Sequence, residues 1–219
     1  MANAVDTLVE QAEAEWFELF TAGPEDARRT ELPPQIGNPA PDLELPGQTG
    51  DPVRLSEVWS DDPTLVIFRR HFGCRWDRAA DRLAREYEQY REAGADVVLV
   101  AEGQPTPARG YADERDIPCP FLRDPDREAP PAHGLREFVP AEVLHGASAV
   151  LLELGPDAAA EIAADRRADD RPLVDNPWQQ LGEFVVAPDG MIRLTCRYQY
   201  CEDYPDPAVL GTAIDRAKT

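Results

Sequence analysis

The chain has 219 residues, with 42 acidic against 22 basic side chains and a formal net charge of −20. Acidity on this scale, spread along the chain, argues against sequence-independent binding to nucleic acid or to an anionic membrane surface, since both need a basic footprint. No run approaches the ~20 apolar residues of a bilayer span, and the N-terminus lacks a basic stretch followed by an apolar one, so a cytoplasmic protein is expected. Cys74, Cys119, Cys196 and Cys201 are too few and too scattered for a disulfide scaffold, which leaves catalytic or buried thiols.

In chain order, Val5, Leu8, Val9, Ala12, Trp16, Leu19 and Phe20 share one helical face, and Gly23-Pro24 ends that helix. Residues 24–42 carry five prolines and read as an ordered linker. Asp42-Leu-Glu-Leu, a turn at Gly47 to Gly50 and Val53-Arg-Leu then suggest a small hairpin, with Ser56 as the cap of a short helix through Trp59. Strand 64–70, helix 75–92, strand 96–101, helix 106–115 and a short strand at Pro120-Phe-Leu follow. That alternation with continuous apolar strands means a parallel sheet covered on both faces. Residues 137–176 are rich in Ala and Asp and read as an inserted helical excursion. Glu183-Phe-Val-Val-Ala, a Pro-Asp-Gly turn and Met191 to Tyr200 form an antiparallel hairpin, closed by a helix from Pro207 to Lys218. Two parts are expected: an N-terminal helix and Pro-rich linker over 1–35, and an α/β domain over 36–219.

The most chemically loaded stretch follows strand 64–70, where His71-Phe-Gly-Cys74-Arg-Trp-Asp77 hands one cysteine to a helix N-terminus. Unsatisfied N–H groups and the positive end of the macrodipole favour a thiolate there, and Arg69, Arg70, Arg75 and Arg78 crowd the same stretch. Strand alternation lets only one of Arg69 and Arg70 point at the sulfur. Asp77 opposes: a carboxylate about 6 Å from the sulfur, at an effective dielectric near 20, disfavours the thiolate by roughly 3 kcal/mol. It is then either paired with a neighbouring arginine, a proton acceptor for the thiol, or an acidic residue favoured in a first helical turn. His71, Cys74 and Asp77, with Cys201 as a fourth ligand, form a metal set on paper, but convergence across strand end, turn and helix is not assured, and neither a metal nor another cofactor is expected. His133 and His145 are isolated and read as loop packing. Neither a phosphate-binding glycine loop nor a serine nucleophile elbow is present.

Ile36-Gly-Asn-Pro-Ala-Pro-Asp-Leu-Glu-Leu, Phe68-Arg-Arg-His-Phe-Gly-Cys74, Phe121-Leu-Arg-Asp-Pro-Asp-Arg and Gly182-Glu-Phe-Val-Val-Ala-Pro-Asp-Gly190, in this order and spacing, resemble the peroxiredoxin-like branch of the alkyl hydroperoxide reductase and thiol-specific antioxidant family. The resemblance covers residues 36–136 and 182–216. It implies a thioredoxin-like α/β fold with parallel strands, a C-terminal antiparallel hairpin and flanking helices, and a cysteine that reduces hydrogen peroxide or an organic hydroperoxide. Departures accompany it. His71 and Ile67 stand where a peroxiredoxin has the threonine three residues, and the proline seven residues, before its reactive cysteine, and Cys74-Arg-Trp-Asp77 lacks the second cysteine of Cys-x-x-Cys.

In the resembled fold Pro120-Phe-Leu is the far edge strand, which puts Cys119 at the end opposite Cys74, as a structural thiol. Cys196 alternates with Leu194 and Tyr198 and reads as a core residue. Cys201 finishes at the same end of the sheet as Cys74, two strand spacings or about 10 Å away, so the loop Glu202 to Pro205 must fold inward before a disulfide forms. The resemblance thus implies Cys74 as nucleophile, Cys201 or an external thiol or thioredoxin-type reductant as resolver, Asp77 and Arg70 in the chemistry, and His71, Arg69, Trp76 and Tyr200 as pocket walls. The alternative is a thioredoxin-fold protein turned to small-molecule binding or a non-peroxidatic reaction, in which Cys74 and Asp77 recognise a ligand. The N-terminal helix and the insertion either cover the site mouth or make a homodimer contact.

Overall fold

The computed structural model describes residues 4–25, 31–69, 78–102, 119–139, 142, 175–201 and 203–219. Its elements are α1 (Ala4–Ala22), β1 (Glu44–Pro46), β2 (Pro52–Arg54), α2 (Leu55–Val58), β3 (Thr64–Phe68), α3 (Arg78–Glu92), β4 (Asp96–Ala101), β5 (Phe121–Arg123), α4 (Ala129–Ala132), β6 (Gly182–Val186), β7 (Ile192–Arg197) and α5 (Pro207–Ala217). The main sheet has the order β5-β4-β3-β6-β7, and β1 and β2 form a separate hairpin. β3, β4 and β5 are parallel, whereas β6 runs antiparallel to both β3 and β7.

The pleat sorts the continuous apolar strands between two cores. Leu65, Ile67, Val97, Leu99 and Val185 face Leu83 and Tyr90 of α3, Leu210 and Ile214 of α5, and Ala12 of α1. Val66, Phe68, Val98, Val100, Phe184 and Val186 face the other way, onto Leu45, Leu55, Trp59, Ala129 and Leu135. With both faces covered, near-unbroken runs of Val, Ile and Leu replace the alternation of a half-exposed sheet. Gly182 lets the layers meet at the end of β6: a Cβ there would lie 2.8 Å from Leu135 Cδ2 and 3.1 Å from the carbonyl oxygen of Cys196.

The excursion after Glu137 leaves and returns at one place. Glu137 and Gln179 form an antiparallel bridge, and the Phe138 N–H donates to the Trp178 carbonyl at 2.6 Å. Trp178 also anchors α1, donating from Nε1 to the Leu19 carbonyl at 2.9 Å and stacking on Phe20, which stacks on Trp16. The helical periodicity of 5–20 is therefore used for docking, although Leu8 stays 42% exposed.

Several boundaries differ from the sequence reading. Ser56 is no cap: α2 begins at Leu55, and the Ser56 N–H, now inside the first turn, donates to Oδ1 of Asp42 at 2.9 Å. A carboxylate from the neighbouring segment, itself fixed to Arg54 at 2.9 Å, supplies what the serine hydroxyl was expected to supply. β3 closes at Phe68, two residues early, and α3 is described from Arg78. The helix expected over 106–115, His145 and most of the excursion lie outside the described residues.

Candidate active site

Phe68 ends β3 level with Val100 of β4 and Gly182 of β6. The next residue, Arg69, donates its N–H to the Val100 carbonyl at 2.8 Å and is 5% exposed. Two residues beyond Ile67, its guanidinium lies on the α3 face of the sheet, in a cleft also lined by Ile67, Arg82, Leu83, Glu86, Leu99 and Glu183. The cleft encloses about 10 Å³, the room of one water molecule.

Glu183 is the centre of this cleft. It interrupts an apolar strand and is 2% exposed, so it needs partners that restore what water would supply. Arg82 of α3 provides them as a fork, with Nη1 donating to Oε1 at 2.8 Å and Nη2 donating to Oε2 at 3.1 Å. The Tyr198 hydroxyl donates a short bond to the same Oε1. Arg82 Nε donates to Glu86 at 2.8 Å, and the Tyr90 hydroxyl donates to that carboxylate at 2.6 Å. Two guanidiniums, Arg69 and Arg82, thus share the cleft with two carboxylates, Glu86 and Glu183, and their charges balance. Burial works against a charged Arg82, but the bonds and the charge of Glu183 outweigh it, and the guanidinium is held protonated beyond its ordinary range. Burial and the adjacent Glu183 push the Tyr198 hydroxyl well above the ordinary phenol.

Past β7 the chain turns back over this face. Tyr204 meets Tyr198 edge-on at 5.6 Å between ring centroids, and the Arg82 guanidinium lies 5.0 Å from the centre of the Tyr204 ring. Cys201, half-buried in the turn, packs with Cys196 against Phe138, Leu181 and Tyr198. Tyr200 is half-buried in the same turn, where its carbonyl accepts the Asp203 N–H at 3.2 Å.

Cys119, Cys196 and Cys201 are thiols. Burial raises Cys119, 3% exposed at the start of β5, to about 12. Burial, with the negative charges of Glu183 and Asp203, raises Cys196 to about 11. Neither environment makes a nucleophile, because both suppress the thiolate. Cys74, Asp77, Arg70, His71 and Trp76 lie outside the described residues. No group of three or more His, Cys, Asp and Glu side chains suited to a metal occurs among the described residues, and no helix among them is long and apolar enough to cross a membrane.

Sequence reasoning passed over Arg82 and Glu183. A lone carboxylate in Gly182-Glu-Phe-Val-Val-Ala was the available signal, since a buried acid demands a cation. Nothing in the sequence names a cation 101 residues away.

Residues 36–194 match the AhpC/TSA family. The chain belongs to the AhpC/TSA family. The chloroplastic thioredoxin-like protein AAED1 of Arabidopsis thaliana is 25% identical over 150 residues, which cover 64% of this AhpC/TSA chain and 56% of the plant protein. The chain thus spans little more than half the length of that curated relative. Peroxidoxin BcpB from Mycobacterium tuberculosis superposes with a TM-score of 0.55 at 18% identity, over 85% of this chain and 99% of its own. The thiol peroxidase from Chromobacterium violaceum gives 0.57 at 12%, over 86% and 90%. Peroxiredoxin Q from Xanthomonas campestris gives 0.54 at 13%, over 80% and 92%. At these identities the likeness is one of fold: the AhpC/TSA chain has the thioredoxin-like architecture of the peroxiredoxins.

Proposed function

We propose that this AhpC/TSA protein is a thiol-dependent oxidoreductase that reduces hydrogen peroxide or an organic hydroperoxide through Cys74. The observation that carries the reading is the convergence at the end of β3. The strand leading toward Cys74 closes beside the buried guanidinium of Arg69, and the turn bearing Cys201 folds back onto the same face. Cys74 stands five residues after Arg69 and four before Arg78 in the sequence. Environments that push Cys119 and Cys196 upward leave Cys74 and Cys201 as the pair for redox work.

In this reading the Cys74 thiolate attacks one peroxide oxygen. An S–O bond forms as the O–O bond breaks, the departing oxygen takes a proton and leaves as water or an alcohol, and Cys74 becomes a sulfenic acid. The Cys201 thiol then attacks that sulfur, releasing water and forming a disulfide, which an external thiol or a thioredoxin-type protein reduces. Arg70 stabilises the negative charge, Asp77 accepts the thiol proton, and His71, Arg69, Trp76 and Tyr200 wall the substrate pocket. The reductant is an external partner and the setting is the cytoplasm. Peroxide treatment of the Cys201→Ser protein, followed by dimedone, tests the assignment: the adduct falls on Cys74 and disappears in Cys74→Ser. A protein whose Cys74 takes no adduct acts by other means.

A further inference from the structure

After Tyr198 local hydrogen bonds tie the chain. Gln199 N–H donates to Asp203 Oδ2 at 2.8 Å, and Asp206 caps α5 by accepting the Ala208 N–H at 2.8 Å. Between these ties the turn meets the body of the molecule through Cys201, which packs against Phe138, Leu181 and Tyr198, and through Tyr204, whose ring lies against Tyr198 and beneath the Arg82 guanidinium. Arg82 is suited to this task. Its edge is committed to Glu183 and Glu86, which fixes the plane of the fork and leaves a face to the Tyr204 ring. Cys201 is three residues from Tyr204, and a disulfide tolerates Cα separations only up to about 7 Å. Its formation therefore depends on where this loop is held.

We propose that Arg82 is a positioning residue for Cys201: through its contact with Tyr204 it pins the 199–204 turn onto α3 and holds the Cys201 sulfur where it meets an oxidised partner. The inference rests on Cys201 being the resolving thiol of the proposed function. The step it governs is attack of the Cys201 thiol on a sulfenic acid, which forms an S–S bond and releases water. Negative charge from Glu86 and Glu183 and the Tyr90 and Tyr198 hydroxyls hold Arg82 in plane. The loop's own Asp203 accepts the Gln199 N–H.

Arg82→Met strands Glu183 in the interior and risks the fold, so Tyr204 carries the test. The full-length Tyr204→Leu, Tyr204→Phe and wild-type proteins are alkylated with iodoacetamide without oxidant, and Cys201 modification is followed by peptide mass. Loss of a cation–π contact loosens the turn, and Tyr204→Leu is expected to label Cys201 roughly tenfold faster, whereas Tyr204→Phe, which keeps the ring, matches wild type. After hydrogen peroxide, Tyr204→Leu should also close the Cys74–Cys201 disulfide more slowly, by a similar factor. Equal labelling in all three proteins overturns the proposal, as does faster labelling with unchanged disulfide closure. If wild type labels slowly but never forms that disulfide, the resolving role itself is wrong, and the wild-type arm alone reveals it.

Discussion

Removing Arg82 exposes how strongly the cleft depends on paired charge. In Arg82→Met, Glu183 keeps the Tyr198 hydroxyl but loses a fork at 2.8 and 3.1 Å, inside a strand where it is 2% exposed. At an effective dielectric of 20 the direct attraction is about 6 kcal/mol, most of which offsets the desolvation of two ions. The cost of stranding one partner is the larger quantity, about 3–5 kcal/mol. Glu183→Gln alone strands Arg82 less, because Glu86 still accepts from its Nε, and about 1–3 kcal/mol is expected. Arg82→Met/Glu183→Gln removes the stranded Glu183 charge and leaves Glu86 with the Tyr90 hydroxyl, so it should be more stable than Arg82→Met by about 2 kcal/mol. Urea unfolding of the four proteins at pH 7, analysed as a double-mutant cycle, gives the coupling energy. Additive single effects, or a loss below 1 kcal/mol in Arg82→Met, would show that the pair is solvated in solution and refute the reasoning.

The remaining buried titratable groups give independent tests. Burial lowers His133 to about 4, with Nδ1 2.9 Å from the Ala129 carbonyl and the ring between Phe68 and Phe184. The unfolded chain binds this proton near pH 6.5 and the folded chain only near 4, so stability falls by about 3 kcal/mol on acidification through that window. An NMR titration midpoint near 6.5 for His133 contradicts the burial. Burial, then the charge of Asp175, raises Glu102 well above an ordinary carboxyl. The folded state then holds a proton that the unfolded state has released, so Glu102 erodes stability as pH rises above about 4.5, and Glu102→Gln should gain in melting temperature over wild type from pH 5 to pH 8. A gap independent of pH counts against a neutral Glu102. Cys119, raised to about 12, should resist iodoacetamide at pH 8 until the protein is unfolded; prompt labelling of the native protein refutes that assignment.

The sheet was legible in the sequence because its strands are buried on both faces and carry little else. Val97 to Ala101 and Phe184 to Ala187 are strands by composition alone, and Pro188-Asp-Gly190 fixes the hairpin between β6 and β7. The polarity and order of the strands followed from the family resemblance. The interior placement of Cys119 also emerged. The cap of α2 did not, because Asp42 does the work from 14 residues away. Nor did the cleft. Arg82 reads as one more charged residue on a charge-rich helix, and only the packing of α3 across β6 gives it Glu183, Tyr198 and Tyr204 as neighbours.

The central claim is that one sulfur, Cys74, takes an oxygen from a peroxide and that Cys201 then displaces this oxygen as water, closing a disulfide. Intact mass and peptide mapping after a single equivalent of hydrogen peroxide test this most directly. Wild type should lose two hydrogens through a Cys74–Cys201 bond, Cys201→Ser should gain one oxygen on Cys74, and Cys74→Ser should remain unchanged. A wild-type protein that leaves Cys74 untouched, or a Cys74→Ser protein oxidised as fast as wild type, contradicts the account.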